Sequence, residues 1–428
     1  MIRDGWIEVA IDELLTDNGV FHDGDWIESK DQDPNGDVRL IQLADIGDGK
    51  FLDKSKRYLT TMKAKELNCT FLQEGDILVA RMPYPLGRAT LFPLKGEHKY
   101  ITVVDVAIIR LNKDFVIPAY FKYNLNSPIS RHKIEKLKSG TTRKRISRKN
   151  LSNIRFSFAP LPEQRAIVAK IEELFSELDS GIDSLKKAKD QLEVYRQAVL
   201  KSAFEGRLTH SEVEGWQRTS FNKLIKNISI SKNKVKQRDY LLEGKYPVID
   251  QGQELIGGYI DNEEKVVECN LPVIVFGDHT KTVKYVNFEF APGGDGTKIF
   301  ETERGIRTKY LYYLILFLSK KIKDRGYARH YQYLKKEKIL LAPLPDQEEI
   351  IKEIESRLSV CENIEANIDE ALEKSEALRQ SVLKKAFEGK LLSNEELEAC
   401  KQEDDWEPAE KLLKRIKETK KEAKNNVK

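Results

Sequence analysis

One segment of this chain occurs twice. Pro160-Leu161-Pro162-Glu163-Gln164 returns as Pro343-Leu344-Pro345-Asp346-Gln347, and Arg196-Gln197-Ala198-Val199-Leu200-Lys201-Ser202-Ala203-Phe204-Glu205-Gly206 returns as Arg379-Gln380-Ser381-Val382-Leu383-Lys384-Lys385-Ala386-Phe387-Glu388-Gly389. Both pairs are offset by the same 183 positions, and about 20 of 49 aligned positions are identical without a gap. Both ends keep one spacing, so the fold has to contain a single element built twice.

That element reads as a long helix. A Pro-x-Pro lead-in suits a helix entrance and not its interior, an acidic residue follows in the first turn, and Gly206 or Gly389 supplies the stop. In the first copy Ile167, Ile171, Leu174, Leu178, Gly181, Leu185, Ala188, Leu192, Tyr195 and Val199 alternate steps of four and three, a heptad seam with Gly181 out of character. In the second copy Ile350, Ile354, Cys361, Ile364, Ile368, Ala371, Leu378 and Val382 hold the equivalent register, with Arg357 and Ser375 as polar exceptions. A narrow apolar stripe on a charged helix wants one partner helix, and the other copy is the obvious one. Packing of each helix on its own domain is the alternative, though about 43 residues extend ~65 Å, beyond the diameter of a small domain.

The regions between the repeats are mixed. Ile77–Ala80, residues 101–109 and Val273–Phe276 look like buried strands, while residues 310–318 look helical. Turn signals recur at Asp33-Pro34-Asn35-Gly36, Gly47-Asp48-Gly49 and Pro292-Gly293-Gly294-Asp295-Gly296. With 428 residues the chain has room for two or three domains. Its four cysteines form no C-x-x-C pair, so neither a zinc site nor a disulfide framework is suggested, and a reducing cytoplasm fits. No apolar run approaches a membrane span and the first residues lack a signal-peptide layout, so neither export nor a membrane is expected.

The formal net charge of +4 hides an uneven distribution. Residues 1–53 carry 4 basic and 14 acidic side chains, whereas residues 54–159 carry 22 basic and 7 acidic. Residues 215–342 again run basic, about 23 against 15. Two separated basic regions suit a polyanion, and solvated surface is the plain alternative. Catalytic motifs are missing: there is no G-x-x-x-x-G-K-[ST] and no H-E-x-x-H. Gly293-Gly294-Asp295-Gly296-Thr297-Lys298 has the wrong spacing for a phosphate loop. The nuclease-like run from Asp239 through Glu243 to Lys245 is the kind of coincidence that Glu388-Gly389-Lys390 repeats elsewhere.

A duplicated Pro-Leu-Pro-(Glu/Asp)-Gln opening a long helix that closes with Ala-Phe-Glu-Gly, each after an unlike mixed domain, resembles the specificity subunit of type I restriction-modification enzymes. The resemblance covers nearly the whole chain. It extends to Gly5-Trp6 and Gly215-Trp216, residues 43–49 and 75–81, Gly140-Thr141-Thr142-Arg143, Tyr246-Pro247-Val248-Ile249, Phe276-Gly277-Asp278-His279-Thr280, Asp295-Gly296-Thr297-Lys298 and Tyr327-Ala328-Arg329-His330-Tyr331.

The resemblance implies an α+β fold: two mixed α/β target recognition domains separated by two long antiparallel coiled-coil helices in a pseudo-two-fold arrangement. The expected boundaries are 1–159 and 209–342 for the recognition domains, 160–208 and 343–392 for the helical spacers, and 393–428 for a charged tail, either a docking helix or frayed. The implied function is a non-catalytic reader of a bipartite site in double-stranded DNA. Two methyltransferase subunits would dock on the spacer, and restriction/translocase subunits would join them. No cofactor is expected on this chain; S-adenosylmethionine, ATP and Mg would sit on the partners. A non-catalytic coiled-coil scaffold with two ligand-binding domains not directed at DNA is the alternative, separable by duplex binding with steep salt dependence. If the helices set the gap between half-sites, four added residues shift it by roughly two base pairs.

Candidate DNA contacts in the first domain are Arg81, Lys138, Thr141, Thr142, Arg143, Lys144, Arg145 and Arg148, with Lys136 and Lys149 beside them. Cations around a Ser-Gly-Thr-Thr turn approach phosphates, and an arginine fork matches guanine, although Arg81 equally suits a carboxylate within the fold. In the second domain the candidates are Lys281, Lys284, Arg325, Tyr327, Arg329, His330, Tyr331 and Lys335, where arginine interleaves with tyrosine. Buried tyrosines with incidental cations are the alternative there.

Overall fold

The computed structural model describes residues 3–94, 99–209, 213–323, 326 and 328–426. Leu161–Phe204 and Leu344–Phe387 each form one unbroken 44-residue helix, about 66 Å long at 1.5 Å per residue. The repeated motif has a physical job at each entrance. Gln164 is fully buried; its amide accepts from the Ile117 N–H (3.0 Å) and donates to the Ala159 carbonyl (2.9 Å). Gln347 accepts from Arg307 N–H (2.8 Å) and donates to Ala342 (2.8 Å). The neighbouring carboxylate takes an indole proton: Trp6 donates to Glu163 (2.7 Å) and Trp216 to Asp346 (2.9 Å). At the exits Gly206 and Gly389 sit at φ 69° and 72°. Arg207 N–H reaches Ser202 O and Lys390 N–H reaches Lys385 O, the left-handed cap that only glycine enters without strain.

The chain forms two compact units, one from residues 1–183 with 371–428 and one from 184–370. In the first, Ile7–Val9 pairs antiparallel with Phe156–Phe158, joining the start of the domain to the strand that feeds the helix. A four-stranded antiparallel sheet runs Val20–Asp23, Val106–Arg110, Ile77–Ala80, Arg88–Leu91. A three-stranded sheet has Val38–Ile41 at its centre, antiparallel to Arg57–Leu59 and parallel to Lys99–Thr102. Helices Pro118–Asn126 and Pro128–Lys136 follow.

The second unit repeats this plan by itself. Gln217–Ser220 pairs with Lys338–Leu341; the four-stranded sheet runs Ile225–Ile228, Thr297–Thr302, Val273–Gly277, Val283–Val286; and Tyr246–Ile249 lies antiparallel to Gly258–Ile260 and parallel to Ala291–Pro292. Helix Thr308–Lys321 packs beneath. The two units therefore share one strand topology although their sequences are unlike. The single strand expected over 101–109 is two strands of different sheets, because a Val106 N–H to Val103 O turn breaks it at Asp105.

The helices run antiparallel: residues 161–183 meet 371–387 in the first unit, and 184–204 meet 344–370 in the second. Of the expected seam, Ile167, Ile171, Val199, Ile350, Ile354, Cys361, Ile368 and Val382 are buried and Leu174, Leu178, Leu185 and Leu192 half-buried. Three positions of one heptad column depart from it by one residue. Tyr195, Ile364 and Leu378 are exposed, at 43%, 41% and 51%, and their neighbours Arg196, Glu365 and Arg379 turn inward. Charge explains the shift. Arg196 pairs with Glu365 (2.7 Å) in one unit and Arg379 with Asp179 (2.5 Å) in the other, so the stripe accommodates guanidinium stems that a hydrophobic pattern passes over.

Residues 393–426 are folded onto the first unit. Helix Asn394–Lys401 opens on a Ser393 capping box, and helix Ala409–Asn426 places Leu412, Leu413 and Ile416 in the same core as Ile11, Leu14 and Phe115. Ala409 N–H bonds to Gly5 O (2.9 Å), and Arg165 holds Glu403 and Asp405. The docking of this segment is thus on its own chain. Among the described residues no helix is long and apolar enough to cross a membrane.

Candidate nucleic-acid interface

In the first unit the basic segment is a small closed loop. Ser139 and Arg145 exchange both backbone hydrogen bonds at 2.9 Å, and Gly140, at φ 92°, has no room for a Cβ, which would lie 2.4 Å from Arg143 O. The tip of Thr141, Thr142, Arg143, Lys144 and Arg145 is exposed. No ion pair joins Arg143, Lys144, Arg145, Lys136 or Lys149 to a described residue. Such cations keep their charge for an outside partner. Lys138 is half-buried and pairs with Glu135, which raises its pKa.

Ile146 anchors the loop: it is buried and its N–H bonds to Arg81 O (3.0 Å). Arg81 itself is a clamp. Its side chain is 11% exposed, donates to Val104 O (2.6 Å) and pairs with Asp23 (3.3 Å). Arg148 is tied to the same Asp23 (3.9 Å) and to Phe21 O (2.9 Å), with 48% of its side chain exposed. Of the two readings the sequence left open for Arg81, the carboxylate partner is the one found. Sequence reasoning missed Tyr84, which projects 69% exposed. Its two flanking prolines were the available signal.

In the second unit three motifs converge: residues 277–282, 293–297 and 328–331. Asp278 O accepts from the His330 N–H (2.7 Å), and Asp278 Oδ1 from the Tyr331 N–H (2.8 Å). Asp278 N–H bonds to Gly296 O (2.7 Å). This arrangement corrects part of the expected surface. His330 is completely buried with Nδ1 3.0 Å from Asp278 O. Tyr331 is buried with its hydroxyl donating to Asn227 (2.9 Å). Lys284 is 4% exposed and 3.6 Å from Asp250, and desolvation lowers its pKa. These three build the loops and do not face solvent. Arg329 and Lys335 are exposed, the latter over the Tyr331 ring at 4.6 Å. Lys281 is half-buried at φ 60°, with Nζ 3.4 Å from Ile322 O. Arg325 and Tyr327 lie outside the described residues.

The family model for the type I restriction modification DNA specificity domain matches residues 3–193. The StySPI specificity subunit of Salmonella potsdam is 26% identical over 312 residues, 65% of this chain and 66% of that one. The EcoBI specificity subunit of Escherichia coli is 22% identical over 452 residues, 91% of this chain and 87% of that one. The chain is similar to type I restriction-modification specificity subunits. Its alignment spans just under two thirds, 66%, of both StySPI and the EcoKI specificity subunit. Among solved structures, the HsdS subunit from Thermoanaerobacter tengcongensis is similar with a TM-score of 0.56 at 18% identity, covering 91% of this chain and 98% of that one. A chain from a structure on complex assembly and conformational transition of the type I R-M system reaches 0.72 at 18% identity, covering 91% and 100%. At that identity these two likenesses speak for the specificity subunit fold.

Proposed function

We propose that this chain is a specificity subunit that reads a bipartite sequence in double-stranded DNA, one half-site per unit, and performs no chemistry itself. In this reading the two long helices dock two methyltransferase subunits. Those subunits supply S-adenosylmethionine-dependent adenine methylation, and restriction subunits supply ATP- and Mg-dependent translocation and cleavage, all in the cytoplasm. The expected contacts are Lys138, Thr141, Thr142, Arg143, Lys144, Arg145 and Arg148 in the first unit and Lys281, Arg329 and Lys335 in the second. The observation that carries the reading is one domain topology built twice, each copy followed in the chain by its own copy of the long helix and each exposing cations on short pinned loops. Two unlike readers on one element address two different half-sites, as half-site spacing follows protein geometry in other DNA readers.

Mapping methylated adenines in the source genome with and without this gene tests it. The expected result is the loss of one bipartite motif with a fixed gap. An unchanged methylation pattern in a strain whose methyltransferase subunits are expressed refutes the reading.

A further inference from the structure

Cations of the second unit surround one carboxylate. Asp295 stands between Gly294 and Gly296 with its side chain 93% exposed, and Lys234 lies 3.0 Å from Oδ1. Arg329 and His279 add their charge, and together with Lys234 they hold the carboxyl below its ordinary value.

The loop that presents Asp295 is pinned. Gln251 donates from Nε2 to Asp295 O (3.0 Å), accepts the His279 N–H on Oε1 (3.3 Å), and receives the Thr280 hydroxyl on its own carbonyl (2.7 Å). The fit leaves no slack. At Gly296, φ 87°, an added Cβ would lie 2.6 Å from Gln251 Oε1 and 2.8 Å from His279 Cδ2; at Gly277 it would lie 2.2 Å from Thr280 Oγ1. A surface ion pair alone is worth ~0–1 kcal/mol and explains none of this clamping.

A carboxylate among cations that approach DNA is repelled by phosphate, so it needs a donor. In the major groove the base-edge donors are the exocyclic amino groups of cytosine and adenine. We propose that Asp295 is a specificity-determining residue of the second unit's half-site, accepting a hydrogen bond from a cytosine or adenine amino group in the major groove. Gln251 is its positioning residue. Lys234 moves to phosphate when the base takes its place. The inference rests on the reading that this unit binds DNA.

The test uses the full chain assembled with the methyltransferase subunits of its own system and a duplex pool randomised across both half-sites. Asp295→Ala reduces the preference at one base pair of one half-site by about 10- to 100-fold. Every position of the other half-site stays as in wild type, and affinity for unrelated duplex is unchanged or higher, since a negative charge has gone. The base whose preference is lost distinguishes cytosine from adenine. Gln251→Glu, which keeps the acceptor for His279 and loses the donor to Asp295, weakens the same position. Unaltered preferences in Asp295→Ala, or equal loss at both half-sites, overturn the proposal. A wild-type complex that selects no bipartite site removes the underlying reading, and the proposal with it.

Discussion

Replacing Gln164 with Met should loosen the first unit and leave the second intact. Methionine nearly preserves the volume and removes the amide, so the partly buried Ile117 N–H and the buried Ala159 carbonyl lose the partners they hold at 3.0 and 2.9 Å. Each stranded group costs about 1–3 kcal/mol, giving about 2–6 kcal/mol together. The contact of Nε2 with Phe115 O, at 3.5 Å, adds little. Hydrogen exchange of the intact chain, read by mass spectrometry of peptides, measures the effect locally. Amides of Pro118–Asn126 and Phe156–Phe158 should exchange at least about 30-fold faster, while those of Thr308–Lys321 keep their protection. Gln347→Met should give the mirror pattern. Equal acceleration in both units, or less than about 3-fold in the first, would refute the claim that each glutamine closes its own domain.

Three other outcomes are expected. Leu378→Ala should change stability by less than about 0.5 kcal/mol, because Leu378 is 51% exposed, whereas Leu383→Ala, at 3% exposure, should cost about 2–5 kcal/mol in denaturant unfolding of the first unit. Arg143, Lys144 and Arg145 replaced together by Ala should lower the log–log salt slope of duplex binding by about 2–3, at ~0.9 per phosphate contact; an unchanged slope removes the loop from the interface. Burial pushes the Asp25 carboxyl up to about 6, against the N–H of Thr70. Between about pH 4 and 6 the folded state therefore holds a proton that the unfolded state has released, so stability falls as pH rises through that window and the cost is complete above it. Asp25→Asn, which keeps an acceptor for Thr70, should stabilise the chain at pH 7.5 and not at pH 4 in thermal melts.

The long helices were readable because their limits are written in residues with few alternatives: proline pairs at the entrance, glycine at the exit, no proline between. The common topology of the two domains was not readable, since a strand needs only a buried face and Ile77–Ala80 and Val273–Gly277 meet that need with unlike neighbours. The seam was legible except at three positions. Apolar counting finds Val382 and Ile354 but prefers Leu378 to Arg379, whose guanidinium lies over the Phe175 ring at 4.4 Å and reaches Asp179. At the interface, the exposed Thr141–Arg145 tip follows from a polar Gly-Thr-Thr-Arg run. Arg81 and Lys284 do not, because a cation's partner comes from a distant strand, Asp23 and Asp250 respectively. Gln251 carries no charge and no motif, and only the assembled loops show what it holds.

The first unit is assembled from both ends of the described chain, and this sets an order of events during synthesis. Residues 184–370 form a continuous stretch that can fold as soon as it leaves the ribosome. The core around Ile11 and Leu14 stays open through that time, because Leu412 and Ile416, which complete it, are made some 400 residues later. The residues around Ile11 thus wait for those around Leu412, and a chain cut short before residue 409 leaves an apolar face of the first unit uncovered.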